Sequence, residues 1–305
     1  MATAESVDTV TTVQTASTVD LGAAPRIARP GQRARNLRKT GAYLILAALS
    51  LIILFPIWMT LVRALSAPLP YISAGQPVYP IQIEWDIFSR AFSRGDMGRH
   101  LMISAVMTVI IAGAQLATSI LAAYAFAFLR FPLKNIIFAA FIATLMLPIE
   151  VTLIPNTETI RSLGWLNSFQ GLTVPFLATA IGTFLIRQGF MGVHKDLRDA
   201  ARLDGFGNLA FLWRVAIPVT KPVIASFAVI SFLAAWNQYL WPRTITTENS
   251  MATVQIILRP LAAAAINEIN IGTAAALIAA LPILVLLIVF QRQLVRGLTA
   301  GAVKG

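Results

Sequence analysis

The residues of this chain that could do chemistry are concentrated between Asp196 and Pro218. This segment carries three aspartates and three arginines, and Gly205 and Gly207 interrupt it near its middle. From Tyr43 onward the surrounding sequence is largely apolar. We find no nucleophile paired with a base, no metal-ligand cluster and no phosphate-binding glycine loop. The pattern therefore predicts no catalytic or metal site, but a water-exposed surface that contacts another protein.

Local signals in this segment predict two short helices around a glycine turn. The stretch Lys195–Leu203 has good helix formers and no breaker. Gly205 follows its last turn, where a left-handed residue is favoured. Asn208 is placed to cap a second helix over residues 209–216, and Pro218 limits how far that helix runs. We expect this pair to lie on the membrane surface, as a loop over residues 193–219.

The composition predicts an all-α polytopic membrane protein. The 305 residues are 57% hydrophobic and 12% charged, whereas soluble domains carry about 25% charged residues. Apolar runs of about 20 residues match the length that a bilayer requires. The absence of cysteine excludes disulfides and thiolate metal sites. We predict six transmembrane helices, at about residues 41–63, 101–128, 135–154, 170–191, 220–241 and 272–294.

Before the first apolar run lies a polar segment that ends in a basic cluster. We interpret residues 1–38 as a disordered cytoplasmic tail and residues 39–305 as one transmembrane domain. A secretory signal peptide is a competing interpretation, with cleavage between Ala64 and Ala67. It requires an apolar region of about 7–15 residues, and the run from Tyr43 to Val62 is longer.

The net charge of +11 does not indicate nucleic-acid binding, because the basic residues stand singly in short loops rather than along one stripe. Excess Lys and Arg mark the cytoplasmic side of membrane proteins. With the N-terminus inside, most of the 24 basic residues fall on that side. Both termini and the 193–219 loop are therefore predicted to be cytoplasmic. The basic residues left outside or at that interface are Arg63, Arg90, Arg94, Arg99, Arg161, Arg243 and Arg259.

Polar residues at membrane depth are candidates for a solute pathway. Glu150 lies near the predicted outer end of the third helix, where a carboxylate needs a cavity, a partner or water. The sequence Trp236-Asn237-Gln238-Tyr239-Leu240-Trp241-Pro242 closes the predicted fifth helix. Its aromatic rings also suit a membrane interface, and its two amides suit a polar solute or a neighbouring helix. A solute pathway and an interfacial or packing role both remain open.

Other polar residues predict packing rather than binding. Gln115, Thr118 and Ser119 are interpreted as contacts between helices. Pro148 and Pro282 interrupt predicted helices, and such breaks often line pathways. His100 and His194 are placed in loops, without a catalytic or metal role.

The segment around Gly205 resembles the EAA loop of binding-protein-dependent ABC importer permeases. That pattern is Glu-Ala-Ala, two residues, Asp-Gly-Ala, and a proline at a fixed distance. The matching positions are Asp199, Ala200, Ala201, Asp204, Gly205 and Pro218. Two positions depart from it, since Asp199 replaces the glutamate and Phe206 replaces the small residue after the glycine.

The resemblance covers about residues 41–300 and is to the maltose-type carbohydrate permeases. The segments 147–151 and 236–242 are most similar to permeases for sn-glycerol 3-phosphate. The resemblance implies the type I importer fold in a bacterial cytoplasmic membrane. It also implies three kinds of partner: a second permease subunit, two ATP-binding subunits and an extracytoplasmic solute-binding protein. ATP is bound by those partner subunits, and no cofactor is expected in this chain.

Two other classes of protein remain as alternatives. A stand-alone secondary transporter would be expected to show internal repeats and ion-coupling residues in broken helices, for which Glu150 is the one candidate. A membrane-embedded enzyme would need a catalytic set that we do not find.

Overall fold

The computed structural model describes residues 32–263 and 265–300, with side chains described over 39–263 and 265–293. Within these ranges the regular elements are helical, apart from one isolated bridge between Ser66 and Ile83. The α-helices are α1 Gln32–Leu65, α2 Pro68–Ser73, α3 Ile87–Ser93, α4 Met97–Phe128, α5 Lys134–Ala143, α6 Ile149–Ser162, α7 Phe169–Thr173, α8 Ala180–Met191, α9 Lys195–Leu203, α10 Asn208–Phe211, α11 Ile217–Trp236, α12 Leu240–Ile245, α13 Val254–Ala262 and α14 Ile269–Ala300.

Contacts divide the chain into two units, Met1–Phe55 and Pro56–Gly305. In the first unit, the structure describes the start of α1, and the side chains from Tyr43 to Phe55 are exposed. Most of the tail predicted for residues 1–38, namely residues 1–31, lies outside the described residues. Its last part is helical, because α1 begins at Gln32. The remaining elements belong to the second unit.

Several helices are long and apolar enough to cross a membrane. Four single stretches qualify by length and hydropathy, and two helix pairs qualify only when each bent pair is taken as one span. The chain therefore has between four and six candidate spans among its described residues. The single stretches are Lys39–Leu65, Met97–Phe128, Asn208–Ile245 and Ile266–Gln293.

Two of the predicted helices are broken, which corrects the prediction of continuous helices at 135–154 and 170–191. The pair Lys134–Met146 and Ile149–Ser162 bends by 97°, and the pair Phe169–Phe176 and Ala180–Met191 bends by 44°. At the first break, Pro148 has extended backbone and no N–H to continue a helix. Between the other two helices, Thr179 is extended before α8 begins.

A partly buried group of hydrogen bonds holds the second break against α4 and α11. Gln115 of α4 donates to the carbonyl of Phe176 at 2.8 Å and accepts from Ser231 of α11 at 2.6 Å. Thr118 donates to the carbonyl of Leu177 at 3.1 Å. These bonds satisfy carbonyls that the broken helix leaves free. The predicted packing role of Gln115 and Thr118 is therefore confirmed.

Close approach of α4, α8 and α11 depends on a glycine. A Cβ at Gly182 would overlap the ring of Phe227 and the hydroxyl of Ser119. Small residues allow such backbone approach between membrane helices, where van der Waals packing drives association.

His100 was placed in a loop, and this is wrong. It is buried in α4, and its Nδ1 lies 2.7 Å from the carbonyl oxygen of Ala252. One turn later, Ser104 accepts a bond from the backbone N–H of Val254 at 2.8 Å. Both contacts fasten the chain before α13 to α4, so His100 has a structural partner.

Candidate functional site

The helix α9 occupies the residues predicted for it, Lys195–Leu203. Asp196 lies in its first turn and Arg202 in its last, as the helix dipole favours. Ala201 is its one buried residue among the nine. The short element is therefore stabilised at both ends and presents most of its surface to the outside.

Gly205 ends this helix in the predicted left-handed conformation, with φ of +77°. Its N–H donates to the carbonyl of Arg202 at 3.0 Å, and the N–H of Phe206 donates to that of Ala201 at 2.8 Å. These two bonds form a Schellman motif. The turn after α9 is thus fixed by backbone bonds rather than left as a loose loop.

The exposed side of this segment is apolar as well as charged. Leu203 is 90% exposed, and Leu209 and Trp213 are also exposed beyond the turn. Asp199 and Asp204 are exposed, and the distance from Asp199 to Arg202 is 4.0 Å. Exposed large apolar residues grouped on one surface are typical of a surface that another protein covers.

The other side of α9 is tied to the C-terminus of α4. Arg198 donates to the carbonyl of Phe128 at 2.8 Å, and its guanidinium lies 5.5 Å from the centre of the Phe128 ring. Tyr124 of α4 donates to the carbonyl of Asn208 at 2.9 Å. Two bonds thus fix the segment to α4, one before and one after Gly205.

The second predicted helix, 209–216, does not end at Pro218. After α10 comes a π-helical turn, Leu212–Ala216, and α11 begins directly at Ile217. A π-turn immediately upstream accommodates a proline, which lacks the N–H that an α-helix would use. Asn208 is the first helical residue, and the N-cap is Gly207 without a side-chain bond. The predicted cap at Asn208 is therefore wrong.

The far end of α11 carries the other predicted pathway residues. Helix α11 ends at Trp236, Asn237 is its C-cap, and α12 begins at Leu240. The predicted fifth helix is thus interrupted rather than continuous to residue 241. Asn237 is exposed and donates to the carbonyl of Leu233 at 2.9 Å.

The two tryptophans at this interruption are buried inside the protein, so their interpretation as interfacial rings is wrong. Trp236 is 2% exposed, and its indole donates to the carbonyl of Ala279 at 3.2 Å. Trp241 is equally buried, and its indole donates to the carbonyl of Gly171 at 3.1 Å. These two hydrogen bonds fix the backbone on both sides of the interruption.

Tyr239 lies between these two tryptophans in the chain. It contacts Arg259, and no signal in the sequence indicated this contact. Arg259 of α13 donates to the Tyr239 hydroxyl oxygen at 3.1 Å. This bond raises the pKa of the Arg259 guanidinium above its ordinary value, so the group stays charged.

Glu150 lies in the first turn of α6, directly after the Pro148 break, and is exposed. A cleft of about 410 Å³ opens beside it. Both broken spans contribute to this cleft, and so does Trp241, but Glu150 is not among its lining residues. The polar side chains that line it are Thr144, Thr152, Asn156 and Thr179.

The sequence interpretation missed these cleft residues, although one signal was available. Thr152 and Asn156 are four residues apart and so share a face of α6. Thr144 and Thr179 gave no comparable signal. They lie near Thr152 and Asn156 only because the two helix pairs are bent. Among the described residues, no group of three His, Cys, Asp or Glu could hold a metal ion.

Bent and straight apolar spans around a tethered, capped helix define a multi-pass helical membrane protein. Its fold is similar to that of a chain from the crystal structure of a bacterial ABC transporter involved in import of the acidic polysaccharide alginate. The TM-score is 0.73 at 21% identity, covering 85% of this chain and 97% of that one. A second structure, the alginate transporter in complex with alginate pentasaccharide-bound periplasmic protein, gives 0.61 at 15% identity, covering 84% and 95%.

Residues 115–300 match the family model of the binding-protein-dependent transport system inner membrane component. The chain is 38% identical over 256 residues to the sn-glycerol-3-phosphate transport system permease protein UgpE of Yersinia pestis bv. Antiqua (strain Antiqua), covering 81% of this chain and 91% of that protein. The protein of the same name from Escherichia coli O1:K1 / APEC is 36% identical over the same shares. This chain belongs to the family of binding-protein-dependent transport system inner membrane components.

Proposed function

We propose that this chain is one of two permease subunits of an ATP-driven importer for sn-glycerol 3-phosphate or a glycerophosphodiester. The solute is inferred from relatives that are 36–38% identical to this chain over 256 aligned residues. Translocation occurs by alternating access between inward-open and outward-open states. The chain itself carries out no ATP chemistry, and two separate subunits hydrolyse ATP.

The observation that carries this function is the geometry of α9. Its exposed side offers Leu203 and charged groups to a partner, while Arg198 on the same helix is bonded to α4. A helix that is held on one side and free on the other can pass a push from an ATPase subunit into the bundle. The coupling residues in this proposal are those of the motif, Asp199, Ala200, Ala201, Asp204, Gly205 and Pro218.

Orientation follows from charge. Cytoplasmic loops are enriched in Lys and Arg, which supports a cytoplasmic location for α9 and both chain termini in this proposal. Counting each bent pair as one span gives six transmembrane helices. The interruption at Asn237 then lies toward the outside, because α11 has 20 residues and spans about 30 Å.

The solute pathway in this proposal runs past the interruption and the cleft. Glu150, Trp236, Asn237, Gln238 and Tyr239 are its predicted residues. Trp236 contributes by holding the backbone in place, since its ring is buried. An extracytoplasmic solute-binding protein delivers the solute to this side.

Reconstitution tests the function. The chain is purified with its co-expressed partner subunits and placed in liposomes, with ATP on the side of the ATPase subunits and the binding protein on the other. We expect uptake of radiolabelled sn-glycerol 3-phosphate that requires both additions. Uptake by this chain alone, without ATP or partners, would refute the proposal and indicate a secondary transporter.

A further inference from the structure

Two exposed arginines, Arg243 and Arg259, are associated with Tyr239 through different contacts. Arg259 donates to its oxygen at 3.1 Å. Arg243 follows Tyr239 by one helical turn, and its backbone N–H donates to the Tyr239 carbonyl at 3.0 Å, which places both side chains on one face. The Arg243 guanidinium is exposed on this face. We call Tyr239, Arg243 and Arg259 the arginine cluster.

Among the described side chains, the arginine cluster has positive charge and no carboxylate paired with it. Among the described side chains, the ion pairs join Arg90 to Glu84 and Asp86, Arg94 to Glu268, and Arg202 to Asp199. Neither Arg243 nor Arg259 has a carboxylate within 4.0 Å in that part of the chain. Both are exposed, so an anion can reach them.

The backbone that carries the cluster is held rigidly. Tyr239 lies in the three-residue interruption between α11 and α12. On either side of it, Trp236 and Trp241 are buried and bonded to the carbonyls of Ala279 and Gly171. Interrupted spanning helices are where membrane transporters place solute sites, and a fixed backbone preorganises the groups that bind.

An unused acceptor lies next to the cluster in the chain. The side-chain oxygen of Gln238 is buried and accepts no hydrogen bond from the described residues. A buried polar atom without a partner is costly. A solute hydroxyl could donate to it once the Gln238 side chain turns outward, and a phosphate could accept from the arginines. A solute with both groups therefore matches the donors and acceptors found here.

We propose that Tyr239, Arg243 and Arg259 bind the phosphate group of the solute as it enters this permease, with Gln238 accepting from a solute hydroxyl. This inference rests on the proposed function and assigns residues to it. Guanidinium groups suit the role because they stay charged and form paired hydrogen bonds with phosphate oxygens. Charge that is concentrated at an entrance also raises the local concentration of an anion.

The test uses the complete importer in proteoliposomes, with ATP and the binding protein supplied as above. Uptake of sn-glycerol 3-phosphate and of glycerophosphocholine is measured for R243Q, R259Q and the double variant. The matched control is R161Q, since Arg161 of α6 is exposed and has no ion pair among the described side chains. R259K tests for the paired bonds, because lysine keeps the charge but loses the planar fork.

We expect each single variant to lower sn-glycerol 3-phosphate uptake at sub-saturating concentration by about tenfold, as for a lost charge-assisted bond. R161Q should be unchanged, and R259K should fall between R259Q and the original protein. Loss should be smaller for glycerophosphocholine, whose phosphodiester carries less negative charge. Uptake in the double variant equal to that of R161Q would overturn the inference.

A second measurement separates a solute site from a docking surface for the binding protein. Association of the solute-free binding protein with the complex is measured for the double variant and should match the original. A loss of that association equal to the loss of uptake would overturn the inference in favour of protein docking. If the unaltered importer takes up neither phosphate compound, the proposed function itself fails and this inference fails with it.

Discussion

Arg198 of α9 donates a hydrogen bond of 2.8 Å to the carbonyl oxygen of Phe128, the last residue of α4. Arg187 and Lys134 donate to the neighbouring carbonyls of Phe126 and Leu129, at 3.3 and 2.9 Å. Three cations therefore satisfy the C-terminal end of α4, where the helix dipole favours positive charge. Only Arg198 belongs to α9, so under the proposed function it is the cation through which displacement of that helix would reach α4.

Replacing Arg198 by glutamine should separate ATP hydrolysis from uptake. The lost bond is charge-assisted and contributes about 2 kcal/mol. We expect ATPase subunits to remain bound while the amount of solute imported per ATP falls several-fold. Uptake and ATPase rates in the same proteoliposomes check this. The matched control is Lys195→Gln, which removes a charge from an exposed position on α9. If the amount of solute imported per ATP is the same in both variants, Arg198 does not transmit displacement of α9.

Replacing Leu203 by serine should have the opposite effect. Leu203 is 90% exposed in the isolated chain, and burial of such a side chain in an interface contributes about 2 kcal/mol. We expect the ATPase subunits to dissociate during purification, while membrane insertion is unchanged. Leu163→Ser is the control, because Leu163 is also exposed but lies outside the α9 segment. Retention of the ATPase subunits by both variants would argue against this docking surface.

Gly205→Val tests the conformation of the turn without a steric clash. A Cβ at Gly205 meets no atom within 4 Å, but its φ of +77° is unfavourable for a β-branched residue by about 2 kcal/mol. We expect Gly205→Val to reduce ATP-driven uptake and Gly205→Asn to retain most of it, because asparagine tolerates this region.

Gly207 provides the control for that pair. Its φ is −71°, and a Cβ there also meets nothing within 4 Å. Gly207→Val should therefore leave uptake near its original rate. Similar losses at both glycines would mean that side-chain bulk on this surface, rather than backbone strain, limits coupling.

Gly182→Ala should lower stability through packing. The added methyl group would overlap Phe227 and Ser119, and overpacking of this kind costs about 1–3 kcal/mol. Thermal unfolding in detergent should show a lower midpoint than for Gly113→Ala, since Gly113 has open space around it. Equal midpoints would show that α8 can shift away from α11 without cost.

Glu150→Gln tests the predicted pathway role of this carboxylate. A carboxylate in the pathway repels an anionic solute, so its removal should lower the KM for sn-glycerol 3-phosphate by a few-fold. Glu158→Gln is the control, because Glu158 is exposed on the same helix, α6. If both variants keep the original KM, Glu150 is a water-exposed interfacial group.

The sequence predicted those features that local interactions determine. The bounds of α9 and the left-handed Gly205 follow from helix formers and a C-terminal cap within a dozen residues. The interpretation of Trp236 as an interfacial ring was wrong because an indole suits a membrane interface and a buried carbonyl equally well, and the choice depends on α14. Pro218 was predicted to stop a helix. The π-turn just before it accommodates the missing N–H of the proline, so the helical backbone continues into α11.

The arginine cluster shows what one sequence cannot provide. Tyr239 directly precedes α12, and Arg259 lies on α13. Helix α12, a short loop and a 3-10 helix separate the two residues in the chain. Their contact depends on how that connection returns to α11, which has no local signal. The cleft residues raise the same difficulty, because bend angles of 97° and 44° bring them together.

The absence of a stop at Pro218 has a mechanical consequence. From Asn208 to Trp236 the backbone is helical throughout, through the π-turn into α11, a length of about 43 Å at 1.5 Å per residue. A rod of this length that tilts by about 5° at one end displaces the other by about 4 Å. Leu209 and Asn237 thus lie at opposite ends of one helical stretch, along which the π-turn and Pro222 are the places where it can bend.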